Sequence, residues 1–228
     1  MISKESFIEG KTILIDKPIG WTSFDVVKKI RGAIKEKYGI KKIKVGHAGT
    51  LDPLATGLLV ICIGKHTKKI QSYIDDKKTY SGVFLIGKTT PSFDLETAFN
   101  KVFSIDNINM EKLTLISQNF IGKQIQTPPI FSAKKINGKR AYELARKGEE
   151  VHVKKAEIEI YDFDINIDSF PEVSFSITCS KGTYIRSIVS DFGKALNNGA
   201  TLIELRRMAS GKQNILDAKT VEEFISSI

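Results

Sequence analysis

Six consecutive apolar residues, Leu58-Leu59-Val60-Ile61-Cys62-Ile63, stand between Gly57 and Gly64. A run this short, without polar alternation and bounded by glycines, reads as a buried strand. It requires a core around it, and 228 residues of which 41% are hydrophobic supply one large domain's worth. Directly before the strand lies Gly46-His47-Ala48-Gly49-Thr50-Leu51-Asp52-Pro53-Leu54-Ala55-Thr56-Gly57. This stretch places one carboxylate, Asp52, in a loop of small, turn-forming residues. Lys41, Lys42 and Lys44 precede it, and Lys65, Lys68 and Lys69 follow it. An acid set in a basic neighbourhood points to chemistry on a polyanion.

The formal net charge of +9 and the pI of about 9.4 fit either a generic basic protein or a partner of nucleic acid, because clustered Lys and Arg displace counterions from phosphates. A membrane partner is not expected: there is no twenty-residue apolar run and no signal-peptide core. Cys62 and Cys179 each sit in an apolar run without Cys or His at metal-ligand spacing. They are expected to be buried free thiols of a cytoplasmic protein, and no metal site is expected.

Periodicity predicts strands over 11–16, 58–63, 80–86, 151–163, 173–179 and 202–208. Helices are expected after an N-cap at Thr22 or Ser23, with Val26, Val27, Ile30, Ala33 and Ile34 as the apolar face, and then over 68–73, 113–121, 140–147, 185–196 and 221–225. Gly148 is expected to stop the helix at 140–147. Residues 124–138 carry Pro128-Pro129 and Asn137-Gly138 and read as irregular or as a hairpin. The irregular alternation argues for an α+β or mixed α/β domain rather than a doubly wound sheet.

Gly82-Val83-Phe84-Leu85-Ile86-Gly87-Lys88-Thr89 satisfies the P-loop expression but not its mechanism. A phosphate cradle needs a bare loop between strand and helix, whereas these central residues are bulky and read as the strand itself. No nucleotide cofactor is expected.

The residues that could carry chemistry are few. An Asp-Pro pair is ordinarily a turn. Here Gly49, Thr50, Thr56 and Gly57 leave the backbone bare, so a large substrate could approach Asp52 closely. Arg186 reads as a solvated arginine or as a fork onto the Asp52 carboxylate; the second would hold that acid ionised. Tyr80 is one more strand aromatic or a ring on which a base stacks. His47 is a structural hydrogen bonder or fills the gap left by a displaced base.

These segments, taken in order, resemble the TruB-type tRNA pseudouridine synthases over nearly the whole chain. Asp16-Lys17-Pro18-Ile19-Gly20-Trp21-Thr22-Ser23 is similar to that family's K-P-x-G-x-T-S motif. Gly46 to Gly57 is similar to its G-H-x-G-T-L-D-P-x-A-x-G signature, whose aspartate is catalytic and corresponds to Asp52. Lys78-Thr79-Tyr80 resembles the strand with the active-site tyrosine. The stretch 128–142 resembles the RNA-gripping insertion. Lys181-Gly182-Thr183-Tyr184-Ile185-Arg186 matches K-G-T-Y-I-R, whose arginine pairs with the aspartate, and Leu205-Arg206-Arg207 matches the L-R-R whose leucine lines the uracil pocket.

The resemblance implies a pseudouridine synthase fold: α+β, a mixed and largely antiparallel central sheet flanked by helices, with an insertion at about 124–152 in a single catalytic domain of residues 1–228. It implies Asp52, Arg186 and Tyr80 as catalytic residues and His47, Lys17, Tyr184 and Leu205 as substrate-binding ones. No cofactor is implied. The implied partner is the T stem-loop of tRNA, in which the uridine at position 55 is isomerised; the oligomeric state is not readable. A non-catalytic RNA-binding or tRNA-folding protein is the rival reading. Two departures stand out. Ala48 replaces a common threonine, and the chain ends at Ile228, where many bacterial members continue into a small RNA-binding domain of the PUA type. Grip on the acceptor side is therefore expected to be weaker or to come from the basic insertion.

Overall fold

The computed structural model describes residues 3–106, 108–132, 134–136, 138–147, 149 and 153–228. The chain forms two compact units. One joins Met1–Tyr80 to Leu205–Ile228, and the other is Ser81–Glu204. The architecture is α+β, with mixed pairing in the first unit and antiparallel pairing in the second.

In the first unit the expected buried strand is Thr56–Ile63, and its last six side chains are fully excluded from solvent. One edge pairs antiparallel with Lys11–Lys17, Lys11 opposite Ile63 and Lys17 opposite Gly57. The other edge is shared. Val45–His47 pairs antiparallel with Ile61–Ile63, while Arg206 and Arg207 lie parallel beside Thr56 and Gly57. The sequence reading placed Gly46 and His47 in a loop; ladder bonds to the buried strand make them a short strand instead. The chain leaves that hairpin after Ala48, whose N–H donates to the Val60 carbonyl at 2.9 Å, and returns at Thr56. Asp52 lies on this excursion.

The helix Ser23–Tyr38 covers one face of the strands through Val26, Val27, Ile30 and Ile34, which pack with Ile13, Ile15, Leu59, Ile61, Ile63 and Phe224. Thr22 is its N-cap and forms a capping box with Asp25. Gly39, in the left-handed conformation at φ 61°, ends it. The expected helix at 68–73 is a 3-10 turn, Gly64–Lys69, running into Ile70–Asp75. A first helix, Lys4–Glu9, was not anticipated; its six residues are too few for periodicity to show.

The second unit is built on antiparallel strands: Ala156–Asn166 pairs with Glu172–Cys179 on one side and with Gly122–Gln126 on the other. Phe84, Phe163, Phe175 and Phe192 pack as tilted and edge-on rings 5.0–6.2 Å apart and form its core with the helix Ile185–Ala195. Gly82 lies within the strand Lys78–Ile86, as the rejection of a phosphate cradle requires. A Cβ there would come 2.3 Å from the Glu204 carbonyl. The stretch 124–138 begins as strand and continues into a small hairpin of Lys135–Ile136 with Lys139–Arg140, followed by the helix Ala141–Arg146. Of the residues invoked in reading 124–152, Ala133, Asn137, Gly148, Glu150, Val151 and His152 lie outside the described residues. Cys62 and Cys179 are buried free thiols, and burial pushes the Cys62 thiol up. Among the described residues no helix is long and apolar enough to cross a membrane.

Candidate active site

Asp52 begins a tight turn: its carbonyl accepts the Ala55 N–H at 3.1 Å, with Pro53 in the position that a fixed φ favours. The residues on either side of it are gripped from the same direction. Ser23 Oγ accepts the Leu51 N–H at 2.8 Å and donates back to the Leu51 carbonyl at 3.2 Å. The Pro53 carbonyl accepts the Gly20 N–H at 2.8 Å and the Lys17 ammonium at 3.4 Å. The two motifs, thirty residues apart in sequence, are thus one constructed object.

Lys17 is fully buried, and its ammonium also donates to the carbonyls of Pro18 (2.9 Å) and Trp21 (2.6 Å). Its three protons are therefore directed at backbone carbonyls, and the resemblance-based expectation that Lys17 touches substrate meets a side chain without solvent access. Burial lowers its pKa to about 8, Asp52 opposes the shift, and Arg207 adds to it. The opposition is reciprocal: the Lys17 charge favours the ionised form of Asp52.

The L-R-R segment works from below. Arg207 is 1% exposed; its Nε donates to the Leu58 carbonyl at 2.6 Å and its Nη2 to the Gly49 carbonyl at 3.2 Å. Its side chain bridges the start of the buried strand and the Asp52 loop. Gly57 explains its place in the signature. It has φ +100°, and a Cβ would lie 2.4 Å from the Arg207 carbonyl oxygen. Arg206 forks onto Asp16 at 3.0 and 2.6 Å. Leu205, between buried and exposed, gives its carbonyl to Thr56 Oγ1 at 3.5 Å. His47 is partly buried, and burial and then the Arg207 charge push its imidazole below the ordinary value, with a backbone hydrogen bond at Gly49 acting the other way. At neutral pH it is an uncharged ring. Tyr80 is half-buried in the strand Lys78–Ile86, whose Lys78 caps the end of the helix Ile70–Asp75 through the carbonyls of Tyr73 and Ile74.

In the second unit Arg186 lies in the first turn of Ile185–Ala195 and is 3% exposed, which removes the solvated reading. Its Nη1 donates to the Ser92 carbonyl at 3.2 Å and its Nη2 to the Phe131 carbonyl at 2.9 Å, and its Nε stands 3.6 Å from Asp94 Oδ2. Tyr184 is the N-cap of the same helix, held by Gln126, which accepts its N–H at 2.8 Å and donates to its carbonyl at 3.1 Å. Ser187 Oγ donates to the Thr127 carbonyl at 2.8 Å. The base of the insertion is therefore fastened to the helix that carries Arg186.

Within the first unit the fold assembles Asp52, Lys17 and Arg207, with His47 in the field of Arg207. Tyr80 and Leu205 stand at the chain ends of that unit, and Arg186 and Tyr184 share a helix start in the other. Sequence reasoning overlooked Ser23's bond to the loop, Arg207, Asp94 and Gln126. Ser23 and Arg207 lay inside quoted motifs and were legible as positions without roles; nothing local marked Asp94 or Gln126.

The fold matches that of the Cbf5 chain in a solved Cbf5-Nop10-Gar1 complex with a TM-score of 0.74 and 25% identity, covering 99% of this chain and 56% of that one. A solved H/ACA RNP bound to a substrate RNA containing 2'-deoxyuridine gives a TM-score of 0.71 at 23% identity, over 99% of this chain and 55% of that one. The architecture is thus the pseudouridine synthase fold. Residues 35–185 match the family described as "TruB family pseudouridylate synthase (N terminal domain)". The chain is 46% identical over its whole length, and the whole of the relative's, to tRNA pseudouridine synthase B of Flavobacterium johnsoniae. It is 48% identical to the protein of that name from Phocaeicola vulgatus, over 96% of this chain and 93% of the relative. The chain belongs to the TruB family of pseudouridylate synthases.

Proposed function

We propose that this chain isomerises the uridine at position 55 in the T loop of tRNAs in the cytoplasm, with Asp52 as the catalytic carboxylate. The observation that carries the reading is the construction around Asp52: a carboxylate whose flanking residues are clamped on both sides, in a family of pseudouridylate synthases whose full-length relatives are named for tRNA. The reaction breaks the N1–C1′ bond, turns the uracil and joins C5 to C1′. The C5 proton leaves and N1 gains one, so no electron or group carrier is needed. The base must first be extracted, at a cost on the order of a few kcal/mol. His47, uncharged at neutral pH, fills the vacated space, and Tyr80 stacks on the uracil. Tyr184 and Leu205 line the pocket. Arg186 pairs with the Asp52 carboxylate, and Lys17, buried beneath it, holds the loop and adds its field.

Asp52 acts by attack at C1′, by removal of the C2′ proton, or by addition at C6. All three routes need an ionised carboxylate in a shielded site. The test is tritium release from tRNA carrying 5-tritiated uridine. Asp52→Asn is expected to bind tRNA within about threefold of wild type and to release no tritium, a loss of roughly 10⁴-fold or more. Turnover by Asp52→Asn would defeat the assignment. Wild-type binding and RNA folding without any release by either protein would favour the non-catalytic RNA-binding reading.

A further inference from the structure

The capping box at the start of Ser23–Tyr38 is complete without Ser23. Thr22 Oγ1 accepts the Asp25 N–H at 3.1 Å, and Asp25 Oδ2 accepts the Thr22 N–H at 2.9 Å. The Ser23 hydroxyl is therefore not needed by the helix that it opens. It is 2% exposed and makes two bonds to one residue 28 positions away, satisfying both the N–H and the C=O of Leu51. Leu51 is itself 3% exposed, so those backbone groups have no access to water as an alternative. The next residue is Asp52.

We propose that Ser23 is a positioning residue for catalysis: it fixes the carboxylate of Asp52 by locking the peptide unit that precedes it. The peptide that follows is held by the Ala55 N–H, which donates to the Asp52 carbonyl, and the one after it by the Gly20 N–H and the Lys17 ammonium, through the Pro53 carbonyl. An aspartate has only two side-chain torsions, so with its flanking peptides fixed its oxygens are confined to a small volume. Misplacement of a reacting group by about 1 Å can cost about a hundredfold in rate. Ser23→Ala frees the Leu51 peptide while leaving the carboxylate, its charge and the surface that meets RNA unchanged.

The inference rests on Asp52 being the catalytic carboxylate, so Asp52→Asn is run in the same tritium-release assay. A silent Asp52→Asn beside an active wild type secures that reading independently. Ser23→Ala is then expected to lower kcat roughly 10- to 100-fold with KM and tRNA Kd within about twofold. Hydrogen exchange at the Leu51 amide should accelerate at least about tenfold while the amides of the buried strand keep their protection. Ser23→Thr, which retains the hydroxyl, is expected to recover most of both losses. Unchanged kcat in Ser23→Ala, or kcat and affinity falling together, overturns the proposal. If Ser23→Ala does not fold, Ser23→Thr decides: turnover that follows Leu51 protection supports the role, and turnover that departs from it overturns the role.

Discussion

Asp52 and Arg186 are held in opposite ways. The first unit positions its acid through the backbone. The Leu51 N–H donates to Ser23 Oγ, and the Pro53 carbonyl accepts the Gly20 N–H. The second unit positions its arginine through the side chain itself, by two carbonyls and the Asp94 carboxylate. The difference follows from the groups. A guanidinium has five donors and can be anchored by some of them while others remain for a partner. A carboxylate on a two-torsion side chain is placed mainly by where its backbone lies, so bonds to the peptides around it narrow the volume its oxygens can occupy. A second arginine–aspartate pair, Arg206 with Asp16, shows the contrast from another side: a two-bond fork with the arginine 38% exposed, which ties strands together.

This comparison can be broken at several points. After the loss of Asp52 itself, the largest effect is expected for Arg186→Lys. It keeps the charge but cannot reach the Ser92 and Phe131 carbonyls together, so kcat should fall about 10²- to 10³-fold while tRNA affinity changes little. A loss confined to affinity would make Arg186 a phosphate ligand. Next is Tyr80: Tyr80→Ala should cost roughly 30- to 100-fold in kcat/KM and Tyr80→Phe only about two- to threefold, because a stacking ring is worth about 1–3 kcal/mol. Equal losses would assign the role to the hydroxyl.

A smaller effect tests the backbone clamp through stability. The Lys17 pKa is lowered from 10.5 to about 8 in the fold. Between about pH 8 and 10.5 the unfolded chain therefore holds the proton that the native chain has released. Stability should rise with pH in that window by on the order of 2–3 kcal/mol relative to Lys17→Met, measured by urea denaturation of both proteins. Equal slopes would show that Lys17 is not desolvated.

The smallest effect concerns His47. Its imidazole lies below the ordinary 6.5, so the unfolded state takes up the proton first as pH falls. Wild type should lose stability below about pH 6.5 relative to His47→Gln, by well under 1 kcal/mol near pH 6. An opposite slope would place a negative charge, not Arg207, against the ring.

Most of the secondary structure was legible because its causes are local. The buried strand announced itself by an unbroken apolar run, and the helix Ser23–Tyr38 by its cap and the spacing of Val26, Val27, Ile30 and Ile34. Val45–His47 was missed because three residues carry no period, and ladder bonds to Ile61–Ile63 make it a strand. In the site, the spacing of glycines around Asp52 was visible, but the reason for Gly57 is the Arg207 backbone that passes 150 residues later in sequence.

The amino-acid sequence by itself determined the family motifs, the candidate acid and the elements that carry them, since each depends on neighbours within a few positions. Only the tertiary structure decided how those motifs are used. It turned Lys17 inward onto three carbonyls, spent Ser23 on Leu51, set Arg207 under the Asp52 loop and supplied Asp94 to Arg186. The physical reason is that a buried polar group must find a partner wherever the fold brings one within about 3 Å, and that partner has no fixed distance along the chain.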